Sequence, residues 1–149
     1  MWKLRVIGVM FAAVLSSLPV LPGDSIGQQL PSDPHHRVVM HLNSGDEKVQ
    51  RGALNNIRHL YQEVGREHLH LELVVHGAGL ALLIKGTTGF GSELAQLKNE
   101  YGVQVTACSN TMKAMNVTRE QLLDEVGDTV PAMVRLMERQ EQGWAYIKP

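Results

Sequence analysis

The 149-residue chain has a single cysteine, Cys108, and its position is one where a thiol can be activated. It follows Val103-Gln104-Val105-Thr106-Ala107, which predicts a short strand, and it leads into Ser109-Asn110-Thr111-Met112-Lys113, which predicts the first turn of a helix. A helix N-terminus presents unpaired backbone N–H groups and the positive end of the macrodipole, and both favour a thiolate over a thiol. A cysteine at that junction is a candidate nucleophile. Cysteine is also among the most often buried residue types and packs as a small hydrophobe. Position alone leaves the reactive and the structural readings both open.

A second candidate is the turn His76-Gly77-Ala78-Gly79, expected at the C-terminal end of a strand, where open α/β sheets bind ligands. It lacks the third glycine of a dinucleotide fingerprint, and the chain lacks the G-K-[ST] of a phosphate loop. No nucleotide or other cofactor is therefore expected. The expected ligand-binding crevice is lined by His76, Gly77 and Gly79 from the turn and by Ser109 and Asn110 beside the cysteine. His41 or His76 could serve as a base there, and Lys85 or Lys113 could add positive charge. His68 and His70 form an H-x-H pair without a nearby cysteine or aspartate, and His35-His36 lies in a loose tail, so no metal site is expected.

The elements that must position these residues can be read from periodicity. Val38 to Leu42 is a continuous apolar run that suits a strand covered on both faces. Ser44 and Glu47 have capping-box spacing and predict a helix start, after which Val49, Ala53, Ile57, Leu60, Tyr61 and Val64 recur on one face up to Gly65. Leu69 to Val75 predicts a second strand, with Leu69, Leu71, Leu73 and Val75 on one side. Leu80 to Ile84 predicts a short buried helix, and Ser92 is expected to cap a helix that ends near Gly102. Beyond Cys108, Thr118 to Gln121 repeats the capping-box pattern, Val126 to Val130 predicts a weak strand, and Pro131 opens a last helix. In that helix Met133, Val134, Leu136, Met137 and Gln140 fall on or near one face, as core or interface filler. Trp144 to Ile147 predicts a final strand. This alternation argues for a three-layer α/β fold with a mostly parallel sheet.

Composition bounds the partners. Fourteen basic residues against fifteen acidic ones, with no Lys/Arg cluster, argue against nucleic acid. The first residues differ in kind from the rest: Lys3 and Arg5 precede an apolar run from Val6 to Leu21, the pattern of a secretory signal. Small residues Ser25 and Gly27 place the expected cut after Gly27. The chain then divides into a signal peptide (1–27), a Pro-rich polar linker (28–36) and one domain (37–149). Export, to the periplasm, with no membrane contact after cleavage is expected, and an uncleaved membrane anchor is the alternative. No cysteine stands near the leader, which excludes a lipoprotein. In an exported protein an unpaired cysteine is either buried and inert or kept for reaction.

Several stretches together resemble the DsrE/DsrF-like family of small α/β proteins associated with sulfur oxidation and sulfur relay. They are Val38 to Leu42, Leu54-Asn55-Asn56-Ile57, Val74 to Leu80, Gly102 to Thr111, and the ending Gln142-Gly143-Trp144-Ala145-Tyr146-Ile147-Lys148-Pro149. The resemblance implies a flavodoxin-like or Rossmann-like sheet of about five strands and a homo-oligomer, trimeric or hexameric, in which a cysteine after a sheet strand carries sulfane sulfur as a persulfide between donor and acceptor proteins. Cys108 matches that position. The expected function is a sulfane-sulfur carrier or sulfurtransferase-like protein. The alternatives are a non-catalytic oligomeric module that binds a small ligand or a protein and has a structural cysteine, and a thiol redox sensor.

Overall fold

The computed structural model describes residues 36–149, so the leader and all of the linker but His36 lie outside the described residues. In chain order the elements are β1 (His36–Leu42), α1 (Glu47–Val64), β2 (Leu69–Val75), a 3₁₀ turn (Gly77–Leu83), α2 (Gly91–Tyr101) and β3 (Gln104–Cys108). They continue with α3 (Ser109–Met115), a short 3₁₀ turn (Arg119–Gln121), β4 (Asp128–Val130), α4 (Ala132–Glu141) and β5 (Ala145–Ile147). The five strands form one sheet in the order β4-β3-β2-β1-β5, and every neighbouring pair is parallel. The α/β architecture read from the sequence is the one observed.

Strand alternation sorts the side chains into two layers. Val38, Met40 and Leu42 of β1, with Leu69, Leu71, Leu73 and Val75 of β2, pack in the larger core under α1, α2 and α3. Val39, Val74 and Cys108 face the other way and pack with Ala132 and Leu136 of α4 and with Trp144. This second layer is partly polar. Glu72 is fully buried, accepts a hydrogen bond from the Thr106 hydroxyl at 2.6 Å, and is paired with Arg135 and Arg139 of α4. The Arg139 guanidinium also lies over the Trp144 ring, 4.3 Å from its centroid. On α4, Met133, Val134 and Met137 are exposed, and Met133 and Met137 line a groove with His41 and Tyr146.

Helix starts differ locally from the sequence reading. The N-cap of α1 is Asp46, whose carboxylate accepts from the N–H groups of Lys48 (2.7 Å) and Val49 (3.3 Å), while the Ser44 hydroxyl accepts from Asp46 N–H. A carboxylate at that point also meets the helix dipole, which a hydroxyl does not. The buried stripe is correspondingly shifted: Gln50 and Leu54 join Ala53, Ile57 and Tyr61, and Val49 is exposed. Gln50 is accommodated because its amide donates to the Ser44 carbonyl. Similarly, α2 starts at Gly91 with Phe90 at its N-cap, so Ser92 lies inside the first turn. The capping box at Thr118 and Gln121 forms as expected, around a 3₁₀ turn rather than a longer helix.

Candidate functional site

The topology brings the chemistry to the C-terminal edge of the sheet, on the α4 side. Strands β1 to β4 run outward in sequence order and β5 returns to the far side of β1, so the chain reverses direction across the sheet between β1 and β5. Open α/β sheets bind ligands at such a reversal. β3 delivers Cys108 to this edge, and Cys108 is also the N-cap of α3. The backbone N–H of Ala132, the first residue of α4, points at the Cys108 sulfur at 3.4 Å. The thiol therefore sits where two helices begin. Burial pushes it up, and hydrogen bonds from the Thr111 side chain and from the backbone of Ala132, Thr111 and Asn110 more than offset that, so Cys108 is held below its ordinary value of 9.0. The cost is access, since Cys108 is only 5% exposed.

Thr111 connects the cysteine to the glycine turn. Its hydroxyl accepts the Gly77 N–H at 3.0 Å while serving the Cys108 sulfur. Gly77 takes φ +55, a conformation that L side chains rarely adopt. Gly79 is needed for a different reason: a Cβ there would lie 3.0 Å from the Leu42 carbonyl oxygen and 3.2 Å from the Asn43 backbone. The two glycines thus fit the turn against the end of β1. Asn110 reaches the site through its backbone, and Ser109 lines a groove of about 620 Å³ with Lys113 and Arg119. Lys85 is ion-paired with Asp124 instead.

His76 and His41, both considered from the sequence as possible bases, are in direct contact with each other. Their Nε2 atoms are 2.5 Å apart, and His41 Nδ1 is 2.6 Å from the Tyr146 hydroxyl. The histidine rings are 4.7 Å apart at their centroids and only 21° from parallel. With the Nε2 atoms so much closer than the centroids, the rings meet edge to edge along a hydrogen bond. Burial, the neighbouring His76 and the Lys148 charge lower His41 to about 4; burial and Lys148 lower His76 as well. Both rings are neutral at pH 7. Tyr146 was the residue missed from sequence; its signals there were its place in a predicted terminal strand and in the closing stretch that carries the family resemblance. Among the described residues no cluster of three or more His, Cys, Asp or Glu could hold a metal. His70 contacts the Trp144 ring edge-on.

The lowered histidines predict acid sensitivity with a definite sign. The unfolded chain takes up a proton at His41 near 6.5, whereas the folded chain resists protonation down to about 4. Between these values the unfolded state binds more protons, so stability falls as pH falls through the window. Thermal melting from pH 7 down to 4 should show a declining midpoint, and His41→Gln should flatten the decline. A variant that keeps the wild-type slope would assign it elsewhere.

A protein-family model described as the DsrE/DsrF-like family matches residues 38–149. No functionally curated protein matches the chain. Among solved structures, MTH1491 of Methanobacterium thermoautotrophicum, a protein of unknown function, is similar at a TM-score of 0.71 with 30% identity, over 76% of this chain and 99% of that one. The ychN protein of E. coli is similar at a TM-score of 0.62 with 16% identity, over 76% and 99% of the two chains. BT1422 of Bacteroides thetaiotaomicron, a conserved protein of unknown function, has a TM-score of 0.57 with 16% identity, over 80% and 99%. The last two likenesses concern the fold alone, but the family match spans the whole described domain apart from its first two residues. The chain belongs to the DsrE/DsrF-like family.

Proposed function

We propose that the protein carries sulfane sulfur as a persulfide on Cys108. The observation that carries this reading is the set of hydrogen-bond donors converging on the Cys108 sulfur from the starts of α3 and α4, which favours the anionic form of both a thiol and a persulfide. A merely structural cysteine in an apolar core would be pushed the other way. Family membership supports a sulfur-relay role. The burial of Cys108 is what favours the alternative of a non-catalytic binding module, and it fits a carrier if the donor enters by displacing side chains over the site.

The proposal extends to a homo-oligomer, trimeric or hexameric, for which exposed Met133, Val134 and Met137 offer an apolar face. It also includes export by the leader, and donor and acceptor proteins that load and unload Cys108. The test is intact-mass spectrometry after exposure to thiosulfate, polysulfide or a persulfide donor. One added sulfur on the wild type, absent from Cys108→Ser and released by a thiol acceptor, is the expected result. No adduct with any donor, together with slow alkylation of the folded protein, would overturn the carrier and favour the binding module.

A further inference from the structure

The Tyr146–His41–His76 chain lies beside the cysteine, yet nothing in sulfur carriage by Cys108 as stated uses it. Its members come from β5, β1 and the end of β2, adjacent strands of the sheet. The register that pairs Val74 with Thr106 and Val75 with Ala107 sets the next residues, His76 and Cys108, side by side. Alternation puts both on the face covered by α4. The row Tyr146, His41, His76, Cys108 therefore crosses four neighbouring strands in order. It begins at a tyrosine that is 42% exposed and ends at a sulfur on a residue that is 5% exposed.

A buried sulfur lacks the water that would trade protons with it, and a row of hydrogen-bonded neutral groups supplies the missing path. We propose that Tyr146, His41 and His76 form a proton relay that protonates the sulfur expelled when Cys108 is loaded. The inference rests on the persulfide reading for its natural substrate, a persulfide donor R–S–SH. The Cys108 thiolate attacks the outer sulfur, the donor S–S bond breaks, and R–S⁻ leaves with the electron pair while Cys108–S–SH forms. His76 gives its Nδ1 proton to R–S⁻ and takes the Nε2 proton of His41. His41 in turn takes the hydroxyl proton of Tyr146, and water refills Tyr146. The products are R–SH and the protein persulfide, with the transferred sulfur at an unchanged oxidation level.

Each ring begins and ends neutral in this sequence, which suits two imidazoles whose surroundings resist a positive charge. The charged and titratable groups facing them are Lys148 beyond β5, Glu141 of α4, which lines the groove over His41 and Tyr146, and Cys108 itself. In this scheme His76 is the catalytic acid, and His41 and Tyr146 are positioning residues that refill it.

The test uses thiol–disulfide exchange at Cys108, the only thiol in the chain, so it does not depend on sulfur carriage. Two probes are compared: an aromatic disulfide, whose leaving thiolate needs no proton, and an alkyl disulfide, whose leaving thiolate does. His76→Gln should lose about 100-fold with the alkyl probe and change little with the aromatic one, the size expected of general acid catalysis. Tyr146→Phe should lose about tenfold on the same pattern, and free imidazole should restore a His76→Ala variant with the alkyl probe only. Equal losses on both probes would show an effect on Cys108 access or ionisation and would overturn the relay, as would no loss in either variant. The aromatic probe also guards against misfolding, because a damaged site changes both rates. If the wild type takes up no sulfur from persulfide donors but shows the probe pattern, the carrier reading fails and the relay stands.

Discussion

Replacing Glu72 by alanine is expected to destabilise the domain by about 3–5 kcal/mol, the range seen when one partner of a buried ion pair is removed. Glu72 is 0% exposed at the centre of the α4 face, and its carboxylate holds Arg139 Nε at 2.5 Å, Arg135 Nε at 3.4 Å and the Thr106 hydroxyl at 2.6 Å. Without it the two guanidiniums lose the charge that draws them inward, and Thr106 keeps a buried hydroxyl without an acceptor. The measurement is chemical denaturation: the midpoint should fall while the slope stays as in the wild type. A loss below about 1 kcal/mol would mean that Arg135 and Arg139 swing out to water at little cost, as surface charges do. Because the same ion pairs seat α4, and the first residue of α4 donates to the Cys108 sulfur, the variant should also alkylate differently.

Thr111→Val should slow alkylation of Cys108 about ten- to a hundredfold near neutral pH. The basis is a single hydrogen bond to a charged group, ordinarily worth about 1.5–3 kcal/mol. Valine keeps the shape of threonine and removes the hydroxyl that serves the sulfur and accepts from Gly77. The sign follows from the direction of the shift. Cys108 is held below 9.0, so losing a donor to the anion returns it upward and reduces the thiolate at pH 7. In alkali strong enough to ionise both proteins their rates should converge. A deficit that persists in alkali would mean that valine blocks the sulfur sterically.

The fold was legible because its signals are local. The apolar alternation of Leu69 to Val75 and the continuous run of Val38 to Leu42 each specify a strand without reference to anything distant. Helix starts were less so, since Ser44 and Asp46 are both good capping residues two positions apart, and in the fold Asp46 takes the N–H groups of Lys48 and Val49 while Ser44 takes that of Asp46. Of the candidate site, Cys108 and the turn after β2 were visible as strand ends. The meeting of His41, His76 and Tyr146 was not, because it joins positions 35 and 105 residues apart through strand order. The strand order became predictable only once β5 was known to pair with β1. Arg135 and Arg139 illustrate a further limit: no local signal in the last helix marks them as paired, because their partner is the acid buried in β2.

Both margins of the sheet are three-residue strands, β4 and β5. A row of free backbone groups that short offers an incoming strand only the beginning of a ladder, and prolines close it off on each side, Pro131 directly after β4 and Pro149 shortly after β5. The long, apolar strands most prone to template aggregation, β1 and β2, are held in the interior of the sheet. The architecture that gathers the candidate site along the C-terminal edge thus also gives the sheet margins that offer little to template fibrillar self-assembly.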